Sequence, residues 1–184
     1  KLDGVVAVPG DLQVFGGSVK VLAGGQIAPD SNLTVANAGT LLDLGGHAQT
    51  LASLSVHSSS MNVGTAAGSN GTTGPALLRV NGAFSVTGGG KLDLANNRLI
   101  VDYDPAATSP ISSVRAALVS GYAKGAWNGP GIDSVGIAAT RSLGYAEAAE
   151  VLGAAGGSFG SATVDGSAVL VRYTLSGDAN LDGG

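Results

Sequence analysis

The sequence has no cysteine. That excludes disulfide scaffolds, cysteine-ligated zinc, iron–sulfur clusters and thiol nucleophiles. Charged residues make up 12% of the chain, about half the usual share. Nine Lys and Arg are spread thinly against thirteen Asp and Glu, for a net charge of −4. No basic patch forms, so nucleic acid is not an expected partner. No run of 18 apolar residues occurs, so no membrane-spanning helix is expected. No signal-peptide pattern stands at Lys1, which fits a mature product or a fragment alike. Aromatics are scarce: three Phe, four Tyr and one Trp.

What is abundant is glycine, 31 of 184 residues, more than twice the average share of about 7%. Its spacing has no period of three, so the chain is not collagen-like. An apolar fraction of 44% argues against a disordered chain. With few aromatics, core volume has to come from Val, Leu, Ile and Ala, which suit closely stacked strands.

The first hundred residues alternate apolar and polar in short runs: Leu12–Phe15, Ser18–Val21, Asn32–Val35, Leu42–Leu44, Ser53–Val56, Leu78–Val80, Ala83–Val86, Leu92–Leu94 and Leu99–Val101. Period-two alternation marks strands with one buried face. Gly16-Gly17, Gly24-Gly25, Gly45-Gly46 and Gly88-Gly89-Gly90 stand between runs, as corners do. Two Leu-Asp-Leu triplets, at Asp43 and Asp93, are each followed by a polar turn and another apolar run beginning at Gln49 or Asn97. Repeated strand–corner–strand units are the mark of a solenoid. The reading is a short parallel β-solenoid over residues 1–101, about five rungs of roughly 20 residues, stacked to about 25 Å. A β-sandwich with Gly-rich hairpins is the competing architecture. Residues 58–75 read as a long polar loop leaving one corner.

Composition changes near Asp102: Tyr103, Tyr122, Trp127, Tyr145, Phe159 and Tyr173 all follow it, and only Phe15 and Phe84 precede it. Ser109-Pro110 reads as a helix start, Ile111, Val114 and Leu118 as its buried stripe, and Gly121 as its stop. Asp165-Gly166 between Ala162–Val164 and Ala168–Tyr173 reads as a hairpin turn. Residues 102–176 are therefore expected to be a small β-rich, α+β cap with one helix, making the chain mainly β. A solenoid end needs such a cover for its core and backbone.

Candidate chemistry is sparse. Gly156-Gly157-Ser158-Phe159-Gly160 matches the hydrolase elbow pattern, but Ala and Gly precede it and no His follows. His47 and His57 lie ten residues apart and are expected to point in different directions. Asp102 with Asp104, and Glu147 with Glu150, are carboxylate pairs of the type glycoside chemistry uses. Asn32-Leu33-Thr34 and Asn70-Gly71-Thr72 fit the N-glycosylation pattern. Trp127 with Tyr122 and Tyr145 is a candidate sugar platform, against a core role for Trp127. At the C-terminus, Asp178, Asn180 and Asp182 followed by Gly183 match the first six positions of a calcium loop, D-x-N-x-D-G. The carboxylate expected at position 12 has no counterpart before Gly184, so the expected metal set is Asp178, Asn180 and Asp182 of an incomplete loop.

The runs Leu94–Tyr103, Ser109-Pro110-Ile111, Gly121-Tyr122, Trp127–Ile132, Leu143–Ala146 and Val169–Thr174 resemble one family. It is the C-terminal region of large secreted bacterial surface proteins with autotransporter-associated β-strand repeats. Residues 177–184 resemble the start of the dockerin-type calcium repeat that follows this region in the family. The resemblance spans roughly residues 30–184. It implies export, a β-solenoid body and a surface or matrix role, with no catalytic residues to carry over. It also implies possible Ca²⁺ at the C-terminus of a full-length parent.

These readings converge on a non-enzymatic, extracellular bacterial structural protein with no required cofactor. It would polymerise with itself end to end, through its solenoid ends or its terminal strands (Val5–Val8 or Val169–Tyr173), into a fibre or surface matrix. A carbohydrate-binding or adhesive module with glycan partners is the alternative. A polysaccharide-degrading enzyme is the third reading.

Overall fold

A computed structural model describes residues 5–6, 10–22, 25–64 and 75–183. The protein is mainly β with parallel sheets and two helices. The chain visits three parallel sheets in turn. Asp11–Val14, Asn32–Ala36, Ser53–His57 and Phe84–Thr87 form the first sheet in that spatial order. Ser18–Lys20, Leu41–Asp43, Ser60–Asn62, Lys91–Asp93 and Gly131–Asp133 form the second. Gln49–Leu51, Leu77–Val80 and Arg98–Asp102 pair in parallel in the third. Val5–Val6 pairs with Gln26–Ile27 in a separate two-stranded ribbon.

The period-two pattern sets which side chains meet. Leu12, Leu33, Leu54 and Phe84 are register partners across the first sheet, as are Val14, Val35, Val56 and Val86. Val19, Leu42, Met61, Leu92 and Ile132 line up likewise across the second. Leu33, Leu42, Leu54, Met61 and Leu92 are at most 1% exposed. A one-residue slip would turn every one of these rows outward, so the register is strongly specified.

Polar staples close the corners between layers. The buried Gln49 side chain accepts the Ile27 amide at 2.8 Å and donates to the Gly25 carbonyl at 3.2 Å. Asn97 repeats the device two strands later, accepting the Ala76 amide at 2.8 Å and donating to the Leu94 carbonyl at 2.9 Å. Buried main-chain groups at bends where the ladder stops are paired in this way.

The region after Asp102 is built differently. Ala168–Leu175 adds to Arg98–Asp102 antiparallel, and Arg141–Glu147 adds antiparallel to that. Helix α1 (Ile111–Tyr122) lays the buried Val114 and Leu118 onto the same core that holds Leu92, Leu99, Ile132 and Val169. The core is thus continuous across Asp102. Helix α2 (Ala148–Val151) is a single turn. A second cluster, with Ile100, Ala148, Phe159, Val164, Leu170 and Leu181, lies on the other face of the third sheet.

Four sequence expectations change. Residues 58–75 are not wholly a loop, because Ser60–Asn62 joins the second sheet and Met61 is fully buried. Its short polar neighbours hid a strand of three residues. Gly121 does not end α1. The helix runs to Tyr122 and turns at Ala123, whose φ is 44°. Gly121 is required because a Cβ there would lie 1.8 Å from the Ile132 carbonyl oxygen. Asp165-Gly166 does not close a hairpin with Ala168–Tyr173. Ala162–Val164 instead pairs with Gly157–Phe159, and the turn passes the chain to another sheet. The cap holds two helices rather than one, α2 being the addition. Residues 65–74 of the expected polar loop and the Asn70 glycosylation pattern lie outside the described residues, as do residues 7 and 8 of the expected first strand.

Candidate functional site

The two ends of the sheet stack differ. At the far end, Gly131–Asp133 extends the second sheet and two antiparallel strands extend the third, with α1 alongside. Among the described residues the first sheet stops there, at Phe84–Thr87, and an open groove of about 450 Å³ separates that strand from Ser113, Ala116 and Ala117 of α1. At the near end, among the described residues, no strand pairs with the outer edge of Asp11–Val14 or of Ser18–Lys20. Leu12 and Val19 there are only half-buried, whereas their partners Leu33 and Leu42 are 1% exposed. Phe15, between the two open strands, is 51% exposed.

The C-terminal acidic turn is built around Asp178. Its carboxylate accepts the Thr174 hydroxyl, the Gly183 amide at 2.9 Å and the Asp182 amide at 3.3 Å. These hydrogen bonds, the Thr174 one foremost, hold the carboxyl below its ordinary range against a smaller opposing effect of burial. Asn180 donates to the Asp182 carboxylate at 2.7 Å. Leu181 anchors the turn, 4% exposed, with Arg172 donating to its carbonyl at 2.6 Å. The three expected ligands therefore share one turn. Their three side chains fall short of the six to eight oxygens calcium takes, and Asp178 already serves three donors.

The other expected residues do not converge. His57 ends a first-sheet strand and lies 3.1 Å from the Thr87 hydroxyl, while His47 follows the turn out of the second sheet. Among the described residues no cluster of three His, Asp or Glu has metal-binding proximity. Ser158 is exposed in the Gly157–Phe159 strand of a hairpin, with no helix after it. Asp102 is ion-paired with Arg79, and Asp104 accepts the Ala106 amide at 2.8 Å in a turn of its own. Glu147 accepts the Tyr103 hydroxyl at 3.1 Å and the Ser109 hydroxyl, whereas Glu150 is exposed on α2. The Tyr103 hydroxyl is pushed up, first by burial and then by Glu147. Trp127 is 7% exposed in the core and meets Tyr122 edge to face at 5.2 Å, so its ring face is not open to a sugar.

One group the sequence reading missed is Asp133. At two strand ends an Asp accepts the amide two residues on: Asp43 from Gly45 and Asp93 from Ala95, both at 2.8 Å. Asp133 stands at the equivalent place on the last strand, but the Val135 amide goes to Asp93 instead, at 3.1 Å. Both Asp133 oxygens are left buried and unpartnered. Burial, then the Asp93 charge, push its carboxyl up to about 7, with Lys91 opposing. The signal was present: Ile132-Asp133 repeats the apolar-Asp start of the two Leu-Asp-Leu triplets.

Among the described residues no helix is long and apolar enough to cross a membrane. Compared with protein-family models, curated proteins and solved structures, the chain matches none.

Proposed function

We propose that the three parallel sheets are the faces of a short β-solenoid, and that the chain is a non-enzymatic structural module of an extracellular bacterial surface assembly. One end is capped and the other joins a second copy. The observation that carries this reading is the pair of open edges, Asp11–Val14 and Ser18–Lys20, flanking the exposed Phe15. An unpaired edge is a template for another strand.

The solenoid part rests on the order in which the chain visits the sheets, with partners 21 residues apart from Leu12 to Leu33 and again from Leu33 to Leu54. The cap narrows the end-to-end fibre expected from sequence. Gly131–Asp133 already holds the second-sheet position that a neighbour's Ser18–Lys20 would need in head-to-tail stacking. Association is therefore assigned to the open end, edge against edge, which gives a two-fold pair. The non-enzymatic part rests on Asp102, Asp104 and Glu147 each being engaged by a separate donor, with Glu150 apart from them and exposed on α2. The extracellular bacterial setting comes from the family resemblance, as does any Ca²⁺ at Asp178, Asn180 and Asp182 in a longer parent.

Sedimentation velocity over a hundredfold concentration range tests the assembly. The chain should shift from monomer to dimer. Gln13→Pro, which blocks an exposed edge position, should remain monomeric with unchanged circular dichroism. A chain that stays monomeric throughout contradicts the reading.

A further inference from the structure

The first sheet repeats one pattern and then stops short. Leu12 and Val14, Leu33 and Val35, and Leu54 and Val56 hold alternate places on successive strands, and Phe84 and Val86 continue both columns on the last. Leu54 and Val56 are at most 1% exposed, whereas Phe84 and Val86 are only half-buried. The backbone ladder is unfinished too. The Ala83 and Thr87 carbonyls accept the Leu54 and Ser58 amides. Successive residues of a parallel strand address opposite neighbours, so the N–H and C=O of Phe84 and Val86 turn to the other edge. Among the described residues no strand pairs with that edge.

The edge opens into the groove of about 450 Å³ beside α1. The opposite wall is one helix face, where Ser113, Ala116, Ala117 and Ser120 recur at helical spacing. None is larger than Ser, which leaves width beside the strand. Among the described residues no charged side chain lines the groove. A folded second copy is shut out, because Gly131–Asp133 and two antiparallel strands carry the neighbouring sheets past this level. The recess has room for a single strand.

The geometry points to a peptide-binding groove, in which an extended, uncharged segment of a partner protein adds to Phe84–Thr87 as the fifth strand of the first sheet. The free main-chain groups supply the ladder, as in strand addition at other open sheet edges. The two columns state the chemistry of the segment. Its alternate residues are Leu over Phe84 and Val over Val86, facing Ala116 and Ala117, with small polar residues between them beside Ser85 and Thr87. A charged residue at either apolar place would lose hydration with no counter-charge to meet it. This site is separate from the open near end.

NMR titration of the full chain with the capped peptide Ser-Leu-Thr-Val-Ser tests it. Binding should be saturable, with new exchange protection at the Phe84 and Val86 amides. Ser-Thr-Leu-Val-Ser, which breaks the alternation, should bind at least tenfold more weakly. So should Ser-Leu-Pro-Val-Ser, which lacks the N–H that faces the edge, and Ser-Lys-Thr-Val-Ser. Ala116→Trp, at an exposed position of α1, should fill the groove and weaken binding at least tenfold with an unchanged melting curve. Gln13→Pro, at the opposite end of the sheet, should bind the peptide as the parent does. No saturable binding, equal binding of Ser-Thr-Leu-Val-Ser, or undiminished binding by Ala116→Trp overturns the proposal. So does self-association of the chain that Ala116→Trp abolishes, which would seat a second copy in the groove instead.

Discussion

The parallel stack and the region that closes it are made by different rules within one core. In the stack each strand rests on a partner of the same type, 21 residues away for Leu12, Leu33 and Leu54 in the first sheet and 23 and then 19 residues away for Val19, Leu42 and Met61 in the second. In the cap, strands Arg141–Glu147 and Ala168–Leu175 are antiparallel, and a helix and a last short strand are fitted individually. Repetition makes the stack extensible, and irregularity makes the cap a terminus.

The largest expected effect comes from removing core volume in the middle of the stack. Leu54→Ala should cost about 2–5 kcal/mol in denaturant unfolding. Leu12→Ala, at the half-buried open layer, should cost less than half of that. Equal costs would mean that the open end is covered.

Asp133 marks the seam where stack and cap meet, and its effect depends on pH. A carboxyl held at about 7 in the folded chain ionises near 4 when unfolded. The contribution of Asp133 is therefore most favourable below about pH 4 and is lost as pH rises toward 7, by up to about 4 kcal/mol. Asp133→Asn should match the parent at pH 4 and exceed it in melting temperature at pH 8. Parallel melting profiles at both pH values would remove Asp133 from the account.

Gly121→Ala tests the cap alone. The methyl collides with the Ile132 carbonyl, and a cost of about 1–3 kcal/mol is expected. Hydrogen exchange should rise in α1 and Gly131–Asp133 before it rises in Asn32–Val56. Gln49→Ala tests a staple of the stack instead. Leaving the Ile27 amide and Gly25 carbonyl unpaired should cost about 1–2 kcal/mol. Lys20→Ala breaks an ion pair with Asp43 in which the lysine side chain is 59% exposed. Less than about 1 kcal/mol is expected.

The same contrast decides what was legible in the sequence. Alternation located the first-sheet strands to within a residue, because Leu33-Thr34-Val35 and Leu54-Ser55-Val56 carry their own pattern. Ser60-Met61-Asn62 escaped because one buried methionine among polar residues has no period to detect. In the cap, Gly121 looked like a helix stop, since its true constraint, the Ile132 carbonyl, is set by a contact eleven residues away. Asp165-Gly166 looked like a hairpin turn because strand choice is settled by distant partners, Arg98–Asp102 and Arg141–Glu147. The Asp178, Asn180 and Asp182 turn was legible as a motif, but the Thr174 hydroxyl that occupies its first carboxylate lies on the preceding strand.

A cysteine-free chain allows the asymmetry of its ends to be read directly by cross-linking. Gln13→Cys places one thiol near the middle of the open edge, and Val119→Cys places one on the exposed face of α1 at the capped end. Under mild oxidation, Gln13→Cys chains should form disulfide-linked dimers at low micromolar concentration and Val119→Cys chains should remain monomers. Equal cross-linking of the two, or cross-linking only through Val119→Cys, would contradict an open near end and a closed far end.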